Sequence, residues 1–343
     1  MLFFSKNLGI DLGTSNVLIY QEKKGLVLRE PAVIALDKNT GRVLQVGAAA
    51  RNMLGRTPGN VVASRPLRAG VISDYELTAR MLTEMVRGII KRAIIKPRMI
   101  ISVPSGITEV EERAVLQAAM EAGARQVYLI EAPLAAALGA QMDITPAVGN
   151  MVVDIGGGTT DVGVLTLSGV AHSASIPVAG IAFDEAIVKY LLRHHGVLVG
   201  ESTAEEIKLN IGCVAPRPDV QQMVVKGRDA MTGLVKELVV TSEDMLDALR
   251  RPARQIADEV ADVLRQITPE LVADIHNNGI VLTGGGSQLW GMDLLIQDRT
   301  GIKCMLADDA DSCVAYGCGK AISWVNRMQE GTINIARRRQ LKD

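Results

Sequence analysis

The chain has 343 residues, 48% of them hydrophobic and 22% charged, with a formal net charge of −1. That length favours two domains or one large bilobed domain, and near-neutrality removes any whole-chain bias toward nucleic acid or membrane. Two Trp, five Tyr and three Phe leave little material for the base-stacking platforms of single-strand-binding proteins, so no nucleic-acid partner is expected.

No stretch reaches the ~20 apolar residues of a spanning helix, and "MLFFSKN" is short for a signal peptide, so the expected location is cytoplasmic. Cys213, Cys304, Cys313 and Cys318 form no CxxC pair and have no histidine at zinc spacing, which reads as reduced core thiols.

In chain order, "MLFFSK" sets Leu2, Phe3 and Phe4 beside Lys6. "NLGIDLGTSN" (residues 7–16) then runs an apolar strand into Asp11, turns on Gly13, presents Thr14, Ser15 and Asn16, and continues into the β-type run "VLIY", which predicts a hairpin. "IIKRAIIKPR" places Ile94 and Ile95 among four cations. Apolar tips rimmed by cations suit an anionic lipid surface. Equally, Phe3 and Phe4 can begin the first strand and Ile94 and Ile95 can close a helix in the core; spacing leaves both readings open.

"PRMIISVPSGITEVEERAVLQAAMEAGARQVYLIEAPLAAALGA" reads as strand, turn, helix, strand, turn, helix, which is α/β architecture. Thr108 and Glu111 have capping-box spacing, and Val110, Ala114, Leu116 and Ala118 mark the expected apolar face. Ser105 lacks a GxSxG context and reads as a turn residue. "MVVDIGGGTTDVGVL" (residues 151–165) then repeats the first motif: strand, Asp154, Gly156, Gly157, Gly158, hydroxyls at Thr159 and Thr160, and a second β-run. Two related halves are implied. Beyond lie a helix from Phe183 to His194, a capping-box spacing at Thr203 and Glu206, a long helix from about Ser242 to Gln266, and a third glycine turn, "GIVLTGGGSQL". The tail "NIARRRQLKD" is basic: a solvated tail, or extra lipid attraction through Arg337, Arg338 and Arg339.

Backbone N–H groups bind phosphate where no Cβ blocks the approach, and hydroxyls add donors. Two such turns face to face would grip a polyphosphate. Asp11 and Asp154 would be repelled by bare phosphate, so their sensible role is to hold Mg²⁺ through its waters. Gly284, Gly285 and Gly286 would let a base or ribose lie on the main chain. Neither GxxxxGK[ST] nor a GxGxxG opening a helix is present, which argues against P-loop and Rossmann sites.

These motifs, in this order, resemble those of the superfamily of actin, sugar kinases and seventy-kilodalton heat-shock chaperones. "GIDLGTSN", "EPAVIAL", "MLGRTPGNVVASRPLRAGVISDYE", "VPSGITEVEERAV", "MVVDIGGGTTDV", "GIVLTGGG" and "CVAYGCGKAI", spread from Gly9 to Ile322, look like the MreB family of bacterial actins. The resemblance implies an actin-like ATPase fold: two duplicated ribonuclease H-like lobes with smaller inserted subdomains around a nucleotide cleft. Residues 1–32, 66–146 and 312–328 would form subdomain IA, 33–65 IB, 147–181 and 243–311 IIA, 182–242 IIB, and 329–343 a basic tail. It implies ATP and Mg²⁺ as cofactors, and assembly into paired protofilaments. Those filaments would lie on the anionic inner face of the cell membrane through Leu2, Phe3, Phe4, Ile94 and Ile95 and organise the cell-wall elongation machinery and its membrane anchors. Glu205, Glu206, Ile207 and Lys208 would line the adenosine side, facing Gly285, Gly286, Ser287 and Gln288. A small-molecule kinase of the same superfamily is the alternative, although such kinases usually need more chain for an acceptor pocket.

Two departures stand out. Family members carry a glutamate before the proline of the alanine-rich helix to orient the water attacking the γ-phosphate. In "LIEAPLAAALGA", Ala132 stands there and Glu131 precedes it. Losing that group should slow hydrolysis by orders of magnitude and leave binding nearly intact; Glu131, Thr160 and Asp161 remain as candidates to orient water. Adjacent residues on an extended segment point to opposite sides, which argues against Glu131. In "VAGIAFDEAI", Ile181 replaces a usual acid.

Overall fold

The apolar run before Asp11 forms the strand Leu8–Leu12, and the chain returns as the antiparallel strand Asn16–Gln21. The structure, a computed structural model, describes residues 7–90 and 95–325. A third strand, Gly25–Pro31, continues the meander. On the other side of Leu8–Leu12, Arg98–Val103 and Gln126–Glu131 add in parallel. The helix Glu109–Glu121 makes the crossover between them, as parallel pairing requires.

The second sheet repeats this plan. Asn150–Ile155, Thr160–Thr166 and Gly169–Ile176 form an antiparallel meander, and Ile280–Thr283 and Cys304–Leu306 add in parallel beside its first strand. Strand order and direction match throughout, so the repeat seen at Asp11 and Asp154 is a repeat of architecture. Each acid is the penultimate residue of its strand. Leu8, Ile10, Met151, Val152 and Val153 are fully buried, which is why these central strands read as unbroken apolar runs.

Two smaller sheets are inserted in the chain. Ile34–Asp37, Val43–Val46 and Val61–Ser64 form one; Val197–Leu198, Gln222–Asp229 and Val235–Thr241 form the other. Ion pairs join the two insertions: Arg51 to Glu205 at 2.6 Å and Arg65 to Glu201 at 2.7 Å.

The helices Ala132–Gly139 and Cys313–Val325 run together between the large sheets. A Cβ on Gly317 would lie 1.7 Å from the Ala135 carbonyl oxygen, and one on Gly139 1.8 Å from that of Cys313. Small residues let these backbones touch, and around them Ile100 and Ile130 of the first sheet meet Val152 and Leu165 of the second in one apolar cluster. That contact sets how the two lobes sit.

Several local readings are realised. Thr108 and Glu111 make the capping box, Ser242–Gln266 is one helix, and the four cysteines are free and buried. Three are corrected. The buried face of Glu109–Glu121 is Val115, Ala118 and Ala119, with Val110 73% exposed, because a stripe at i, i+3 and i+4 centred on Val115 meets the core. The helix expected from Phe183 begins at Gly180. The next helix, Glu201–Ile211, has Gly200 as its N-cap and no side-chain cap bond, so Thr203 lies inside the first turn and makes no capping box with Glu206. Of the membrane candidates, Ile95 is exposed; Leu2, Phe3, Phe4, Ile94 and the basic tail lie outside the described residues. Among the described residues no helix is long and apolar enough to cross a membrane.

Candidate functional site

Both hairpin turns open on one cavity of about 520 Å³. Gly13, Thr14, Ser15 and Asn16 line it from the first sheet, and Gly156, Gly157, Gly158 and Thr159 from the second. The turns are in contact: a Cβ on Gly157 would sit 2.0 Å from Ser15 Oγ, and one on Gly158 2.2 Å from Thr14 Oγ1. Glycine is therefore required here by the meeting of the two lobes. Thr14 Oγ1 also accepts the Gly70 N–H at 2.8 Å. Gly70 lies in the left-handed region at φ 75°, tucked against Pro104.

The third turn lies against the second. A Cβ on Gly284 would fall 2.3 Å from the Ile155 carbonyl oxygen, and one on Gly286 2.5 Å from Ile155 Cγ2. A Cβ on Gly285 would meet nothing closer than Asp311 Cβ at 3.9 Å. Gln288 lines the cavity, whereas Ser287 is buried with its hydroxyl donating to the Gly284 carbonyl at 2.6 Å. Two N–H groups at the start of Gly180–His195 donate to the second turn: Gly180 to the Gly156 carbonyl at 3.1 Å and Ile181 to that of Gly157 at 2.8 Å.

Three carboxylates gather under these turns. Asp11 accepts from Ser102 Oγ at 3.0 Å, Asp154 from Thr283 Oγ1 at 2.7 Å, and Asp161 from the Ser105 N–H at 3.1 Å. Burial pushes the Asp11 carboxyl up to about 6, with the Ser102 bond opposing and the Asp161 charge adding. Burial pushes Asp154 to about 8, the Thr283 bond opposing and the charges of Asp11 and Asp161 adding. Asp161 is raised by burial as well, with bonds from Ser175, Thr159 and Ser105 opposing. Buried like charges of this kind call for a cation. Among the described residues no group of three or more His, Cys, Asp or Glu side chains could hold a metal ion by itself. Carboxylate oxygens are the donors a hard divalent ion takes, together with waters and phosphate oxygens.

On the far wall, Glu205 and Lys208 reach the cavity from the helix Glu201–Ile211. They lie one turn apart and share a face. Between them, Glu206 is exposed and Ile207 is fully buried in the core, so neither lines the cavity. Lys208 pairs with Asp184 at 2.8 Å and donates to the Gly180 carbonyl at 3.0 Å. The sequence reading missed Arg29, Gly70, Ser102, Arg217 and Trp290, all of which line the cavity. Gly70, in "LRAG", carried a turn signal; the others carried none.

The family model described as MreB/Mbl protein matches residues 5–330. The chain belongs to the MreB/Mbl family. It is 45% identical over 326 residues to the cell shape-determining protein Mbl of Bacillus cereus, covering 95% of this chain and 98% of that protein. Among solved structures it is similar to MreB5 of Spiroplasma citri bound to ADP, with a TM-score of 0.90, 33% identity, and 95% and 98% of the two chains covered. The same protein bound to AMPPNP gives a TM-score of 0.88 at 33% identity, with 94% and 97% covered. A MamK double helical filament gives 0.80 at 23% identity, covering 95% and 100%, and shares the actin-like fold.

Within this MreB/Mbl chain the three candidates for orienting water separate. Ala132, first residue of its helix, lines the cavity. Glu131 does not: its Oε2 accepts from Ser105 Oγ at 3.1 Å and Ser173 Oγ at 3.4 Å. Thr160 is fully buried and donates to the Val178 carbonyl at 2.7 Å. Asp161 alone of the three lines the cavity. Ser105, read as a turn residue, joins the two acids, its N–H on Asp161 and its hydroxyl on Glu131.

Proposed function

We propose that this MreB/Mbl chain binds ATP with Mg²⁺ between its two glycine turns and polymerises into paired protofilaments on the anionic inner face of the cell membrane, organising cell-wall synthesis with the elongation machinery and its membrane anchors. One observation carries the nucleotide reading: Gly157 and Gly158 meet Ser15 and Thr14 across the lobes, in a cavity also lined by two buried carboxylates, Asp154 and Asp161, and a half-buried one, Asp11. That arrangement offers amides and hydroxyls to a phosphate chain from both sides and acids to its cation. Asp11 and Asp154 would hold Mg²⁺, which when bound neutralises phosphate charge. MreB5 solved with ADP and with AMPPNP supports the ligand class, and the MamK filament supports assembly on this fold. The subdomain division is proposed as stated above, with residues 33–65 and 182–242 as the inserted pair flanking the cleft. The kinase alternative has no observation in its favour.

This chain's own residues position the phosphates and exclude side chains from their path; of the candidates to orient an attacking water only Asp161 lines the cavity, and Ala132 lines it too. Ala132 has no group to hold that water. The resulting reading is a filament former whose hydrolysis is slow. Sedimentation with and without Mg·ATP, with phosphate release followed in the same sample, tests it: ATP-dependent pelleting with little release is expected. Absence of ATP-dependent pelleting would overturn the polymer, and rapid release would overturn the reading of Ala132.

A further inference from the structure

Beside the hairpin turns, the lining of the cavity includes Leu209, Asn210, Gly212, Arg217, Leu289 and Trp290. Two aromatic side chains line the cavity among the described residues: Phe183, with no exposure, and Trp290, 44% exposed. The Arg217 guanidinium lies over the indole, its Cζ 4.8 Å from the ring centroid. A guanidinium has two faces, and it is weakly hydrated enough for the one not turned to the indole to accept another π-surface.

The platform is held from several sides. Cys213 and Trp290 form a parallel β-bridge, and the Val214 N–H donates to the Trp290 carbonyl at 2.9 Å. Arg217 Nη1 donates to the Gly212 carbonyl at 3.5 Å. Gly291 at φ 82° lets the next turn press on Ala215, where a Cβ would come within 2.4 Å of the Ala215 Cβ. The segment 212–217 is thus zipped to the residue that follows the third glycine turn.

We propose that Arg217, backed by Trp290, is a nucleobase platform: it stacks on the ring of a bound purine nucleotide and supplies affinity that the phosphate turns do not. The proposal rests on the nucleotide reading of the same cavity and adds to it the residues that recognise the base. A ring-face contact makes no use of base edges, so it serves any purine.

Titration calorimetry with Mg·ATP and, separately, with Mg·tripolyphosphate, which has phosphates and no base, tests this on the full chain. Arg217→Ala and Arg217→Lys should each weaken ATP about tenfold, since lysine lacks the planar face, while tripolyphosphate affinity stays at the wild-type value. With Trp324→Phe, leaving Trp290 the sole indole, ATP should change the emission and tripolyphosphate should not. Unchanged ATP affinity in the Arg217 variants, or ATP and tripolyphosphate weakening together, would overturn the platform and leave the phosphate site standing. Wild-type protein that binds neither ligand would overturn the nucleotide reading and the platform with it.

Discussion

Of the sequence neighbours Glu131 and Ala132, Ala132 lines the cavity, whereas the Glu131 carboxylate accepts from Ser105 and Ser173 and is not part of the lining. Chain direction at the strand-to-helix junction separates them, since Glu131 ends the strand Gln126–Glu131 in extended conformation and Ala132 opens the helix.

Ala132→Glu should therefore raise phosphate release from Mg·ATP by about tenfold or more, by placing a carboxylate where water can be oriented. Glu131→Gln should leave the rate within about twofold of wild type. A coupled phosphate assay reads both. A rate unmoved by Ala132→Glu, with ATP still bound, would count against the alignment of this position.

Stability without ligand should depend on pH with a definite sign. Asp11 and Asp154 are raised from 3.8 to about 6 and about 8 in the folded chain, so between those limits the folded state binds more protons than the unfolded one. Their contribution is full below pH ~4 and is lost as pH rises through the folded values. The Tm of nucleotide-free protein should fall from about pH 5 to 8, and Asp154→Asn should flatten the slope. A Tm rising over that interval would contradict the burial of these acids.

Contact between the hairpin turns can be tested by a compensating pair. Gly157→Ala places a methyl 2.0 Å from Ser15 Oγ and 2.5 Å from Ser15 Cβ and should cost about 1–3 kcal/mol. Ser15→Gly removes both atoms. In denaturant melts the double variant should recover most of the loss; additive losses would mean that the turns do not meet.

At the seam between the lobes, Gly317→Ala brings its Cβ to 1.7 Å from a backbone oxygen on the partner helix, and neither backbone can yield as a side-chain tip would. The expected loss is about 3 kcal/mol, the upper end for overpacking, read as a lower denaturation midpoint. Loss under ~0.5 kcal/mol would show that the helices Ala132–Gly139 and Cys313–Val325 are not in backbone contact.

Short-range order was legible in the chain itself. Strand, acid, glycine and hydroxyl follow one another within a few residues at Asp11 and again at Asp154, and a hairpin needs no distant partner to be specified. The same holds for the Thr108 capping box and for the helix Ser242–Gln266, whose buried Met245, Leu249, Ile256 and Val260 repeat at helical spacing. Tertiary structure decided which face or end of an element meets a neighbour. Val110 is as apolar as Val115, but only Val115 lies toward the core. Gly200, rather than Thr203, begins the helix Glu201–Ile211, and its rotation then sends Glu205 and Lys208 to the cavity, Ile207 to the core and Glu206 to solvent. Gly70, Arg29, Arg217 and Trp290 come from separate segments, and they line one cavity only because the tertiary fold brings those segments together. Local periodicity records the repeat; the meeting of the repeats depends on contacts between residues far apart in the chain.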